Sequence, residues 1–128
     1  MARILVIDDE EMIRYTVRTA LEMDSHDVLE AENGLQAMDI VQKNNFDLII
    51  TDIIMPEKEG IQTIIDIRGK FPDVPIIAIT GGDPKRRKLY SDSATVMGAN
   101  SILFKPFSDE KLIGAVNDCL IATAGPVL

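Results

Sequence analysis

Apolar positions along this chain fall into two kinds of run. Short β-branched stretches occur at Arg3–Ile7, Asp27–Ala31, Asp47–Thr51, Pro75–Thr80 and Ser101–Phe104. Between and after them lie longer segments whose apolar positions recur at helical spacing. Ile13, Val17, Ala20 and Leu21 share one face of the first, with Arg14, Arg18 and Glu22 turned away. Ala37, Met38 and Val41 line the second, Ile61, Ile64 and Ile65 the third, and Leu112, Ile113, Val116 and Leu120 the last. The strand runs Ile4-Leu5-Val6-Ile7, Leu48-Ile49-Ile50 and Ile76-Ile77-Ala78-Ile79 are apolar on both faces. That is the pattern of a parallel sheet covered by helices on both sides. Five strands alternating with five helices predict an α/β doubly wound domain. Right-handed crossovers then bring the strand C-termini to one edge, where such sheets form their sites.

The fourth helical segment is the least regular. Gly81-Gly82-Asp83-Pro84 signals a loop, and Lys85-Arg86-Arg87-Lys88 follows. Four cations at a helix start oppose the helix dipole. The helix is therefore expected to begin late, near Ser91, Asp92 or Ser93, any of which can cap it. The basic run reads as a solvated face or, more sharply, as a partner-docking or mobile element.

No repeat, low-complexity stretch or linker divides the 128 residues, so a single domain over 1–128 is expected, with no output domain. Composition adds constraints. A hydrophobic content of 46% with 27% charged residues supports a packed core. With 13 Lys plus Arg against 21 Asp plus Glu, the net charge of -8 argues against a grip on nucleic-acid phosphates. A metal ion or a basic partner surface is the better match. Cys119, without an internal disulfide partner, reads as a buried small apolar residue in a reducing compartment. No signal-peptide pattern and no apolar run of membrane-span length is present, so a soluble cytoplasmic protein without a membrane partner is expected.

The chemistry lies at the strand ends. Asp8-Asp9-Glu10 follows the first strand, Asp52 ends the third, Thr80 ends the fourth, and Lys105-Pro106 follows the fifth. Each has a plain alternative: Asp8 or Asp9 capping the first helix, Asp52 opening a turn toward Pro56, Thr80 closing a strand, Lys105 as a surface lysine. Their coincidence at four strand ends favours one site. Two carboxylates ~5 Å apart at an effective dielectric of ~20 repel by roughly 3 kcal/mol. Protonation relieves that, or a divalent cation does. Magnesium suits an oxygen-only, solvent-accessible site, and the chain has no His/Cys spacing of a zinc site. His26, in the turn before the second strand, reads as a surface residue away from this edge. Phosphoryl transfer needs positioning and charge neutralisation above all, and aspartates form acyl phosphates. Asp52 is then the acceptor, Asp8 and Asp9 hold the metal, and Lys105 and Thr80 contact phosphoryl oxygens.

These residues resemble the response-regulator receiver domain of two-component signalling. The marks are Ile4-Leu5-Val6-Ile7-Asp8-Asp9-Glu10, Ala31-Glu32-Asn33-Gly34, Asp47 through Pro56 with Gly60, Thr80, and Lys105-Pro106-Phe107. The resemblance implies a flavodoxin-like fold with strand order 2-1-3-4-5. It implies that Asp52 takes a phosphoryl group from a histidine kinase or histidine phosphotransfer protein. Mg2+ would be ligated by Asp9, Asp52 and the backbone carbonyl of Ile54, with Asp8 acting through water. Lys105 would contact the phosphoryl group, and the Lys105–Pro106 peptide would be cis. Thr80 would swing toward the phosphoryl group and shift the face formed by the fourth helix, fifth strand and fifth helix, which signals to a downstream protein. Family members often pair through that face, so a homodimer there is a further expectation. Such a protein assists its own phosphorylation and dephosphorylation and is a switch rather than an enzyme.

Three departures from the family pattern stand out. Ile102 occupies the usual aromatic switch position, which puts the Thr–Tyr coupling in doubt. Gly81-Gly82 follows Thr80, and with the basic run it predicts a long, mobile loop. Ile54 and Gly82 sit where residues tune loss of the phosphoryl group. Two other classes stay open: an interaction module that no longer takes phosphate, and a haloacid-dehalogenase-type Mg2+ phosphohydrolase. In the hydrolase two Asp are separated by one residue, whereas here Asp8 and Asp9 are adjacent. Flavin binding fares worse, because an acidic loop follows the first strand where a phosphate cradle needs amides.

Overall fold

The computed structural model describes residues 2–53, 59–81, 85 and 87–123. Five strands, β1 (Arg3–Ile7), β2 (Asp27–Ala31), β3 (Leu48–Asp52), β4 (Ile76–Thr80) and β5 (Ser101–Phe104), alternate with α1 (Glu11–Met23), α2 (Gly34–Lys43), α3 (Glu59–Lys70), α4 (Arg87–Met97) and α5 (Asp109–Thr123). The sheet is wholly parallel in the order β2-β1-β3-β4-β5, the expected doubly wound topology.

The apolar strand runs explain the layering. Successive side chains point to opposite faces, so Ile4, Val6, Leu48, Ile50, Ile77 and Ile79 form one core with Val17 and Leu21 of α1 and Leu112 and Val116 of α5. Leu5, Ile7, Ile49, Ile76 and Ala78 form the other with Ala37 and Val41 of α2, Ile64 and Ile67 of α3 and Ala94 of α4. Cys119 is buried in the first core, and burial followed by the charge of Asp118 pushes its thiol up from the ordinary range. Helix ends follow local chemistry: the Asn33 side chain accepts the Gln36 N–H at 2.8 Å to start α2, and Ser108 Oγ accepts the Lys111 N–H at 3.1 Å to start α5.

Three expectations are corrected here. First, α4 begins at Arg87, ahead of Ser91, Asp92 and Ser93. The dipole penalty on exposed cations is small and screened, Lys88 lies 3.5 Å from Asp92 one turn on, and burial of Ala94 anchors the helix. Second, Arg14 does not face solvent; it is 8% exposed and has polar partners within the fold. Third, His26 lies away from the acidic edge, but its side chain is only 7% exposed. Its Nδ1 accepts the Ala2 N–H at 3.0 Å, which draws the ring in against the chain start. The loop predicted after β4 falls largely on residues 82–84 and 86, outside the described residues.

Gly98 closes α4 at φ +121°, with its N–H and that of Ala99 returning to Ala94 O. A Cβ there would sit 3.0 Å from Arg68 Cγ and Nε. Arg68 joins the α3–β4 and α4–β5 connections by donating to Phe71 O, Val74 O, Gly98 O and Asn100 Oδ1. Gly98→Ala is expected to destabilise the fold by roughly 1–3 kcal/mol through backbone strain and displacement of Arg68. A lower urea midpoint at unchanged m-value checks this.

Candidate functional site

The chain leaves β1 at Ile7 and enters α1 at Glu11, so Asp8, Asp9 and Glu10 sit at the carboxyl edge of the sheet. Asp8 is 1% exposed. Its N–H donates to Ala31 O at 3.1 Å, its carbonyl accepts from Arg14 Nη1 at 2.7 Å, and its Oδ1 accepts the Glu10 N–H at 2.9 Å. Only Oδ2 is left, buried without a hydrogen bond and 3.5 Å from Lys105 Nζ. Neither Asp8 nor Asp9 caps α1: the N-cap is Glu10, and its side chain makes no cap bond.

Asp52 closes β3 in register with Ile79 of β4 and is 2% exposed. Lys105 approaches from the end of β5, with Nζ 2.7 Å from Asp52 Oδ2 and 3.9 Å from Glu10 Oε1. The Lys105–Pro106 peptide bond is cis. The Lys105 N–H donates to Thr80 O at 2.7 Å, tying the end of β5 to that of β4. Gly81 makes room for this lysine: a Cβ there would stand 3.2 Å from Lys105 Cδ. Thr80 is fully buried, and its hydroxyl donates to Gly81 O over a long 3.4 Å.

The fold therefore brings Asp8, Asp9, Asp52, Thr80 and Lys105 to one edge from the ends of β1, β3, β4 and β5. Ile54 lies outside the described residues, as does Gly82. Ile102 is half-buried and packs against the core beneath α2, α3 and α4, opposite Ala78 of β4. Two participants were not assigned roles from sequence. Glu10 joins the acid cluster: carboxylate oxygens of Asp8, Asp9, Glu10 and Asp52 all lie within 4.8 Å of one another. Arg14 binds the Asp8 carbonyl. Glu10 was legible as the third acid in a row, whereas nothing in the spacing of Arg14 distinguished it from a solvated arginine.

The electrostatics follow from burial and crowding. Burial pushes the Asp8 carboxyl up to about 6 against the lowering bond from the Glu10 N–H, and the Asp52 charge adds to the rise. Burial alone would lower the Lys105 ammonium, but its hydrogen bond to Asp52 and the charges of Asp52, Asp8 and Glu10 carry it above its ordinary value. Among the described residues one ammonium faces four carboxylates, and the buried Asp8 Oδ2 has no hydrogen-bond donor. An oxygen-only cluster of this kind fits a hard divalent cation.

The response regulator receiver domain family matches residues 4–117. This chain belongs to that family. The receiver is 30% identical over 122 residues to the response regulator MprA of Mycobacterium sp. (strain KMS), covering 95% of this chain and 52% of MprA. It thus spans about half the length of the curated relatives it matches. Its fold superposes on NtrX from Brucella abortus with a TM-score of 0.90 at 26% identity, over 96% of this chain and 28% of that one. It superposes on the chemotaxis response regulator CheY4 of Vibrio cholerae with a TM-score of 0.83 at 30% identity, over 94% and 99% of the two chains. Residues 4–117 are therefore a receiver domain of two-component signalling, a family that binds Mg2+ at an acidic pocket, and the described residues include such an acidic cluster. Among the described residues no helix is long and apolar enough to cross a membrane.

The Asp8 shift has a signed consequence. Between pH 3.8, the ordinary aspartate value, and about 6, the folded receiver keeps a proton that the unfolded chain has shed. Stability contributed by this group is present below that window and lost as pH rises through it. In metal-free buffer Asp8→Asn is expected to be more stable than wild type at neutral pH by about 1–3 kcal/mol. The gain should fade toward pH 4. Urea denaturation in EDTA at both pH values checks this, and a gain independent of pH would count against burial as the cause.

Proposed function

We propose that this receiver accepts a phosphoryl group on Asp52 from a phosphohistidine of a sensor histidine kinase or histidine phosphotransfer protein. The observation that carries the reading is the Asp52 carboxylate itself, 2% exposed at the end of β3, held by Lys105 at 2.7 Å and crowded by Asp8, Asp9 and Glu10. In the proposed reaction an Asp52 oxygen attacks phosphorus in line, the P–N bond to the donor imidazole breaks, and its electron pair stays on the departing nitrogen. Lys105 orients the acceptor before attack and stabilises a phosphoryl oxygen after it. Asp8, Asp9 and Asp52 would hold Mg2+, whose charge offsets that of the phosphoryl oxygens when bound. The carbonyl of Ile54 is the remaining proposed ligand.

The readout begins at Thr80. Its weakly held hydroxyl is a donor for a phosphoryl oxygen, and phosphorylation adds about -1.5 to -2 charges within its reach. The proposed movement of Thr80 shifts the face formed by α4, β5 and α5 toward its active population. Ile102 is aliphatic, so the change passes through packing rather than through a hydroxyl-bearing ring. Exposed Leu89 and Val96 on α4 and exposed Ile121 on α5 offer apolar surface to a downstream protein or a second copy of the receiver. The net charge of -8 fits a protein partner and not direct nucleic-acid binding. The reading is of a cytoplasmic signalling switch that assists its own phosphorylation and dephosphorylation.

Incubation with Mg2+ and acetyl phosphate is expected to raise the intact mass by one phosphoryl group. Asp52→Asn should abolish the gain, and Lys105→Met should lower its rate by roughly 10- to 1,000-fold. Absence of a mass change with every donor tested would leave only an interaction module, and steady phosphate release from unrelated organic phosphates would indicate a hydrolase.

A further inference from the structure

Arg14 is buried in the first turn of α1, where the apolar pattern gives it no reason to be. Its side chain is 10% exposed and spans three elements. Nη1 donates to the Asp8 carbonyl at 2.7 Å, and Nε donates to Glu30 Oε1 at 3.2 Å on β2. Glu30 is fixed in turn: its Oε2 accepts from Arg18 Nη1 at 2.7 Å, and Arg18 Nε donates to Glu22 at 3.2 Å. Glu30 pairs with Val6 of β1, two residues before Asp8, so the guanidinium anchors just beneath the acidic edge.

We infer that Arg14 is a positioning residue for the acidic pocket: it sets the Asp8 peptide so that the one unbonded carboxylate oxygen faces the cation site. The inference rests on the metal reading above. Asp8 has four polar atoms. Three are occupied, by Ala31 O, Arg14 Nη1 and the Glu10 N–H, and the fourth, Oδ2, is buried and open toward Lys105 and the acid cluster. With Arg14 truncated, the Asp8 carbonyl loses its charged donor in a buried place and the peptide turns to seek another. Oδ1 and the Glu10 N–H share that turn, so Oδ2 moves as well. The planar fork of arginine matters here, because one rigid group must reach a carbonyl and a carboxylate together. Arg18 shares Glu30 but makes none of the bonds that fix Asp8, and so supplies the control.

The test is an amide chemical-shift titration of the folded receiver with MgCl2, for wild type, Arg14→Met, Arg14→Lys and Arg18→Met. Arg14→Met is expected to raise the Mg2+ dissociation constant about 10-fold, as loss of a group supporting a metal ligand does. Arg14→Lys, which keeps the charge and one donor, should fall between it and wild type, and decides the matter if Arg14→Met does not fold. Arg18→Met should match wild type, which a general effect of charge around Glu30 would not allow. Wild-type affinity in both Arg14 variants, or equal weakening in Arg18→Met, overturns the inference while leaving the metal site standing. A wild-type chain with no saturable shift overturns the metal reading and this inference with it.

Discussion

Among the described residues, the Lys105 ammonium holds together an edge that would otherwise repel itself. Lys105 lies 2.7 Å from Asp52 and 3.5 Å from Asp8, two carboxylates that are almost entirely removed from water. At such separations and an effective dielectric of ~20, each attraction is worth roughly 5–6 kcal/mol before desolvation is subtracted. The lysine does not neutralise the cluster, since Asp9 and Glu10 add two further acids within 4.8 Å. The site is consequently stable enough to form and negative enough to want a cation. Burial first, and the Asp52 charge after it, holds the Asp8 carboxyl above its ordinary range.

The sheet makes this concentration possible. Parallel strands send every C-terminus the same way, so residues 8, 52, 80 and 105 meet although they are far apart in sequence. Both faces of the sheet are filled, one by α1 and α5 and the other by α2, α3 and α4. Burial of apolar strands on both sides supplies the stabilisation against which the acidic edge is tolerated. The edge is also where neighbouring strands and helices are tied together. Thr80 ends β4 with a weakly held hydroxyl, the Lys105 N–H ties the end of β5 to Thr80 O, and Arg68 links the far ends of α3 and α4. Ile102 of β5 packs against the core shared by α2, α3 and α4.

The sequence by itself determined the number, type and nearly the limits of the elements, because helix and strand periodicity are properties of neighbouring residues. Observed β3 and β4 each begin one residue later than the runs at Asp47 and Pro75 suggested. Apolar strands with no polar face allowed little besides a parallel sheet between helices, and that topology sufficed to gather Asp8, Asp9, Asp52, Thr80 and Lys105 at one edge. What only the tertiary structure decided were the fates of polar groups whose partners are distant in the chain. Arg14 turned inward because Glu30 and the Asp8 carbonyl wait beneath α1, His26 because Ala2 offers it an N–H, and α4 extends back to Arg87 because Ala94 is packed into a core that its own segment does not contain. A charged side chain reads as solvated until its partner is known, and only folding brings the partner to it.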